Sequence, residues 1–167
     1  MISVLTPVGW LGIVADDRAV LEIRFGARSE DVSGNELTAW AQSEIEAYFA
    51  GTLRDFTVPA APKGTEFQRK VWDAIREIPY GQTLSYGEIA AKIGHPSAAR
   101  AVGMAAHRNP VPILIPCHRV VGRSGSLVGF SEGLETKRFL LDWESRGTFA
   151  FRAGDFFPPL DTLGRTE

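Results

Sequence analysis

The stretch Val58-Pro-Ala-Ala-Pro-Lys-Gly64 constrains this chain more than any other feature. Proline lacks a backbone donor and fixes φ, so two prolines and a closing glycine this close together cannot continue a helix or a central strand. No regular element crosses this point, and the chain must organise itself on either side of it. The charge changes there as well. Residues 1–60 carry four Arg, no Lys and nine acids, a net of −5, whereas residues 61–147 carry twelve basic and eight acidic side chains, a net of +4. Residues 148–167 add two basic and three acidic groups, a net of −1. A division near residue 62 follows, with segments 1–61, 62–147 and a tail, 148–167.

The total charge of −2 argues, taken as an average, against a nucleic-acid binder, yet the basic middle segment restores that class. A hydrophobic fraction of 44% with 23% charged residues is enough for a packed core and excludes disorder. No apolar run approaches the roughly 18 residues of a membrane span. The opening Met-Ile-Ser-Val-Leu-Thr-Pro lacks the basic end of a signal peptide. The chain is therefore expected in the cytoplasm and away from membranes. The single cysteine, Cys117, cannot form an internal disulfide or a Cys-rich zinc site.

Before the break, apolar residues alternate as in strands: Ile2, Val4 and Leu5, then Trp10 to Val14, then Val20 to Phe25, with turns at Pro7-Val8-Gly9 and Asp16-Asp17-Arg18. A helix is expected from Asn35, with Leu37, Trp40, Ala41, Ile45, Tyr48 and Phe49 on one face and Gly51 as its stop. Beyond the break, Thr65-Glu66-Phe67-Gln68 has the form of a capping box that opens a helix with Phe67, Val71, Trp72 and Ile75 on its apolar face. A short helix follows from Ser85 to Gly94, and Ser97 is expected to cap another from Ala98 to about His107, ended by Asn109-Pro110. Two short helices across a tight turn make a helix-turn-helix. The fold class is α+β: a small N-terminal α/β domain with a short antiparallel sheet and a helix, then a mainly helical domain with the helix-turn-helix.

Helix 98–107 is almost all small residues around one long cation, Arg100. Such a surface allows either tight helix packing or close approach to a partner, and a DNA minor groove read by an inserted Arg is one such partner. Cys117 is likewise open to two readings. A lone buried thiol is commonly an inert small hydrophobe, but beside cations and a histidine it becomes a nucleophile. Neighbouring residues in a strand point to opposite faces, so contact between Cys117 and His118 requires a sharp turn or a bridging water. A Cys-His hydrolase of acyl substrates and a pure DNA-binding module are the competing functions at this level.

The string Ile-Pro-Cys-His-Arg-Val around Cys117 resembles the active-site motif of the O6-alkylguanine-DNA alkyltransferases, also called methylated-DNA–protein-cysteine methyltransferases. The likeness extends through Gly64-Thr-Glu-Phe-Gln68, Ile78-Pro-Tyr-Gly81, Ser85-Tyr-Gly-Glu-Ile-Ala90, Arg100-Ala-Val-Gly103, Asn109-Pro110, Gly133-Leu134 and Lys137-Arg-Phe-Leu-Leu141, over roughly residues 62–147. The first 60 residues resemble only in general terms the family's variable N-terminal domain.

The resemblance implies single-use repair of O6-alkylguanine in double-stranded DNA, with no cofactor and no metal, by a monomer whose cooperativity along DNA is left open. It makes Cys117 the acceptor, activated by His118 through a water while Glu144 orients the ring. Tyr86 meets the flipped base at N3, and Asn109 ties the helix-turn-helix to the cysteine segment. Ser131 bonds O6, backbone groups at Cys117 and Val120 meet the exocyclic amine, and Phe130 and Pro112 wall the pocket. Arg100 is the finger that replaces the extruded base, and Ser97, Ala98, Ala99, Gly103 and Arg119 complete the expected DNA contacts. His107 and Arg108 are candidates for phosphate contacts. The chain departs from the pattern at Phe130, where Tyr is usual, and at Glu132, where glycine is usual in a loop at the pocket mouth. The aromatic tail 148–167 is expected to pack on the domain or to mediate contacts between molecules.

Overall fold

The computed structural model describes residues 1–146, and the aromatic tail lies outside them. The architecture is α+β, with a small antiparallel sheet and, among the described residues, five α-helices. Two compact units are present, the first running Met1–Ala61 and the second starting at Pro62.

In the first unit, strands β1 (Ile2–Thr6), β2 (Gly9–Ala15) and β3 (Val20–Phe25) form an antiparallel sheet in that order. Thr6 Oγ1 accepts from Val8 N and donates to Gly9 O, which closes the β1–β2 hairpin. Helix α1 (Glu36–Phe49) starts at an Asn35–Thr38 capping box and packs on this sheet. Leu11, Ile13 and Val20 from the strands and Ala41, Ile45 and Tyr48 from the helix exclude solvent completely. Gly51 ends the helix region at φ 76°, the left-handed conformation that favours glycine.

Trp40 departs from the expected apolar face: it is exposed, and its indole N–H donates to Glu44. Glu44 is the buried residue of that turn. Its carboxylate accepts from the backbone N–H of Thr57 and Val58 and from the Thr57 hydroxyl, so the helix holds the returning chain by hydrogen bonds. The 3.6-residue period marks a face but not which members of it are polar anchors.

The second unit contains α2 (Glu66–Arg76), β4 (Leu84–Ser85), α3 (Tyr86–Lys92), α4 (Ala99–His107), β5 (Val120–Val121) and α5 (Leu134–Ser145). The capping box at Thr65 and Gln68 is present, and a second one joins Ser85 to Glu88 at the start of α3. Trp72, buried in α2, donates its indole N–H to Ala105 O of α4 at 2.8 Å. A Cβ on Gly64 would lie 2.4 Å from the Trp72 ring, so the backbone passes the indole at a distance only glycine permits. Strands β4 and β5 pair in parallel, Leu84 with Val120 and Ser85 with Val121. This pairing brings the first residue of α3, Tyr86, beside the segment that follows Cys117.

Candidate active site

The approach to Cys117 begins where α4 stops. Asn109 Nδ2 donates to Ile115 O, its Oδ1 accepts from Val111 N, and Ile115 N donates to Val111 O, each at 2.9 Å. The loop between is forced into an uncommon shape: Ile113 has φ 73°, a region in which a β-branched side chain is strained by about 1–3 kcal/mol. Asn109, itself buried, also hydrogen-bonds the Cys117 sulfur. One side chain therefore ties the end of α4, the strained loop and the thiol together.

Cys117, His118 and Arg119 form a single 3-10 turn. A sharp turn, one of the two arrangements under which a neighbouring cysteine and histidine can share a site, is therefore present. Cys117 is 5% exposed and His118 is fully buried. His118 Nε2 lies 2.7 Å from Glu144 Oε1, whereas its other ring nitrogen, Nδ1, is buried with no protein partner. A carboxylate only accepts, so Nε2 carries the proton and Nδ1 the free lone pair.

Arg119 was expected to reach DNA, and the structure overturns that role. The side chain is buried, with Nε on Glu144 Oε2, Nη2 on Glu144 Oε1 and Nη1 on Ile78 O, each at 2.8 Å, and its guanidinium lies 5.6 Å from the centre of the Tyr80 ring. All three guanidinium nitrogens are engaged inside the protein, and burial keeps the side chain away from a phosphate. In a 3-10 turn of three residues per revolution, the third residue projects away from the first, and here it projects into the core.

Burial disfavours the charged form of Glu144, but hydrogen bonds from His118 and Arg119 outweigh it and hold the carboxyl down at about 2. Burial pushes His118 below its ordinary value, with Glu144 opposing and Arg119 reinforcing the shift. Glu144 orients the imidazole and favours its charged form, but burial outweighs that pull and Arg119 and Lys137 add to the downward shift. Burial likewise pushes the Cys117 thiol up, against the Asn109 hydrogen bond and the charge of Lys137.

Tyr86 is half-buried, and its hydroxyl donates to Val128 O at 2.9 Å. Burial raises its pKa, and the charge of Cys117 adds to this. The same Val128 carbonyl accepts from Lys137 Nζ at 3.0 Å, and Lys137 also donates to Val120 O at 2.6 Å. Phe130, Pro112 and Val120 are buried, while Ser131 and Glu132 are exposed on the turn after Phe130. Lys137 belonged to a motif that the sequence displayed, but nothing in its helical setting distinguished it from a solvated lysine. Only its complete burial does so.

On the outer side of α4 an open groove of about 460 Å³ is lined by Tyr86, Ala99, Arg100, Gly103, Met104 and Arg108, among others. Arg100, His107 and Arg108 are exposed there, and Met104 is 54% exposed. Ser97 does not cap the helix. Ala98 N bonds His95 O in a turn, α4 starts one residue later with Ala98 at its N-cap, and no side chain caps its first turn. Among the described residues, no cluster of His, Cys, Asp or Glu is arranged to hold a metal, and no helix is long and apolar enough to cross a membrane.

Residues 66–146 match the family described as 6-O-methylguanine DNA methyltransferase, DNA binding domain. A methylated-DNA–protein-cysteine methyltransferase of Methanosarcina acetivorans is 46% identical, over 83% of this chain and 94% of that protein. Its counterpart in Mycolicibacterium paratuberculosis is 44% identical, over 86% and 91%. The crystal structure of Mycobacterium tuberculosis OGT in complex with DNA superimposes with a TM-score of 0.79 at 41% identity, covering 86% of this chain and 91% of that one. This chain belongs to the methylated-DNA–protein-cysteine methyltransferase family.

Proposed function

We propose that this protein repairs double-stranded DNA by moving an alkyl group from O6 of guanine onto its own Cys117, once per molecule. The observation that carries the reading is the hydrogen-bonded line from Glu144 to His118, which ends on an unpartnered buried nitrogen in the turn that holds the thiol. That nitrogen is the base the chemistry needs.

In this reading, His118 Nδ1 takes the thiol proton through a bridging water and the thiolate attacks the alkyl carbon. A sulfur–carbon bond forms as the carbon–O6 bond breaks, and the electron pair leaves with the base. The thiol's proton ends on a ring nitrogen of guanine, so the base departs neutral. Tyr86 assists by exchanging its bond to the Val128 carbonyl for one to N3 of the base. The product is a thioether, which water does not cleave, and each molecule acts once. Asn109 holds the sulfur in register, and residues 62–147 act as the unit that carries both binding and chemistry.

An alkylated purine inside a duplex is out of reach, so the base is flipped at a cost of a few kcal/mol. Helices α3 and α4 serve as the helix-turn-helix, with the outer face of α4 in the minor groove. The small side chains of Ala98, Ala99 and Gly103 permit close approach, exposed Arg100 enters the stack, and the uncapped first turn beside Ser97 presents free N–H groups to a phosphate. Arg108 and His107 add positive charge at the other end. Phe130 and Pro112 wall the flipped base, and Ser131 donates to O6. The Val120 carbonyl retains a second lone pair for the exocyclic amine while Lys137 occupies the first.

Intact-mass measurement after mixing with an O6-methylguanine duplex tests the reading. The expected result is a gain of one methylene mass, mapped to the peptide containing Cys117 and absent from Cys117→Ser. An unmodified protein, or release of more than one equivalent of methyl groups, would reject it; the second outcome marks a turnover hydrolase.

A further inference from the structure

Lys137 is a buried cation with neutral partners. It is 0% exposed, and its ammonium donates to two backbone carbonyls, Val120 O and Val128 O, with its nitrogen 5.8 Å from the centre of the Tyr86 ring. Among the described residues no carboxylate comes within ion-pair distance of it. A positive charge removed from water and left without an anion is unfavourable, which makes such a site a place where an anion is stabilised when one forms.

The anion that forms in this neighbourhood is the sulfur of Cys117. Its surroundings contribute Asn109, which hydrogen-bonds it, and His118 in the same turn. The phenol of Tyr86 and the carboxylate of Glu132 also face it, and the field of Glu132 opposes the thiolate. Before it takes the thiol proton His118 is held neutral by burial, a shift to which Lys137 adds, and Arg119 is engaged by Glu144 and Ile78. In that resting site neither supplies an uncommitted positive charge. Lys137 does.

We propose that Lys137 is a positioning residue for alkyl transfer: its ammonium is the standing counter-charge for the Cys117 thiolate, and its two carbonyl contacts hold the Val120 and Val128 walls of the pocket together. The inference rests on Cys117 as the alkyl acceptor. The influence is mutual, since Lys137 favours the thiolate and the thiolate favours the ammonium. Val128 O receives both the Tyr86 hydroxyl and the Lys137 ammonium. When Tyr86 turns to a bound base, Lys137 keeps that carbonyl satisfied and the wall in place.

The test reads the field at the sulfur without DNA. Iodoacetamide is neutral and iodoacetate anionic, so the ratio of their rates with Cys117 reports local charge, and the pH profile of the iodoacetamide rate reports the thiol. Lys137→Met keeps the length and loses the charge. The expected result is a thiol midpoint raised by about one unit and an iodoacetate-to-iodoacetamide ratio lowered severalfold, whereas Glu132→Gln raises that ratio. Loss of thermal stability in Lys137→Met with midpoint and ratio unchanged would make Lys137 a structural strut only and overturn the proposal.

If Lys137→Met does not fold, the unaltered protein serves. The chain has four lysines, Lys63, Lys70, Lys92 and Lys137, and the side-chain nitrogen resonances of so few are separable by NMR. One of them should shift as the thiol titrates and lose that step once Cys117 is carbamidomethylated, because linkage between two sites is reciprocal. No lysine following the thiol would overturn the proposal. A lysine that follows it in a protein left unmodified by methylated duplex would instead reject the repair reading and leave the charge pair intact.

Discussion

Arg119 grips Glu144 with two parallel bonds, Nε to Oε2 and Nη2 to Oε1, both 2.8 Å long, while Oε1 also meets His118 Nε2 at 2.7 Å. A bidentate guanidinium of this kind is both a strong contact and a directional one. It fixes the plane of the carboxylate, the carboxylate fixes the ring, and Nδ1 is left buried with no protein partner. Burial keeps the oriented histidine from charging, against the pull of Glu144.

Acid stability follows from that contact. The folded Glu144 carboxyl sits at about 2, below its ordinary 4.5. Its contribution to stability is therefore complete above about pH 4.5 and is lost as the pH falls towards 2. A shift of this size corresponds to something on the order of 3 kcal/mol. Urea unfolding across this acid range should show the loss in the unaltered protein. Glu144→Gln should be less stable at neutral pH, since it leaves Arg119 uncompensated, and should lose much of the slope between pH 2 and 4.5. An equal slope in both proteins would show that other groups control the acid limb.

Arg100 and Arg119 should separate cleanly by substitution. Arg119→Lys cannot reproduce the fork and is expected to lose about 3–5 kcal/mol of stability, the cost of breaking a buried pair, with the salt dependence of duplex binding retained. Arg100→Ala should leave stability within about 0.5 kcal/mol and reduce the salt slope of binding by about one. Chemical unfolding and binding titrations at several salt concentrations measure both. A reduced slope in Arg119→Lys would return that residue to the DNA interface.

Asn109→Ala removes the bonds to Ile115 and Val111 and the contact to the sulfur. Leaving the buried loop carbonyl unpaired should cost about 1–3 kcal/mol. The larger effect should fall on the rate of alkyl transfer, down by about 100-fold, because a displacement of an ångström at the nucleophile is enough. Single-turnover kinetics with methylated duplex, compared with binding of the same duplex, distinguishes this from weakened affinity. An unchanged rate in a folded variant would show that the Ile113 turn holds itself.

Glu132 lies exposed on the turn beside Phe130, and its charge opposes the thiolate. Glu132→Gly should widen access and remove the opposing field. Reaction with free O6-benzylguanine should then rise relative to reaction with methylated duplex, scored by intact mass in parallel time courses. No change in the ratio between the two would reject the gating role.

Local rules in the sequence determined much of this molecule. The break at residues 58–64, the strand alternation before it, and the capping boxes at Thr65 and Ser85 rest on interactions between residues a few positions apart. The resemblance brought Cys117, His118, Glu144, Tyr86 and Asn109 forward as a set. Tertiary structure decided what each one faces. Trp40 lies exposed with its N–H on Glu44 rather than on the apolar face, and Ser97 was no cap because the turn at residues 95–98 delayed α4. Arg119 and Lys137 differ most from their sequence appearance, since a long cation next to a motif reads the same whether it ends in water or in the core. Its direction is set by residues far along the chain: Ile78 and Glu144 for Arg119, Val120 and Val128 for Lys137. The energy of a buried charge depends on the partners the fold assembles around it, and those partners have no fixed spacing in sequence.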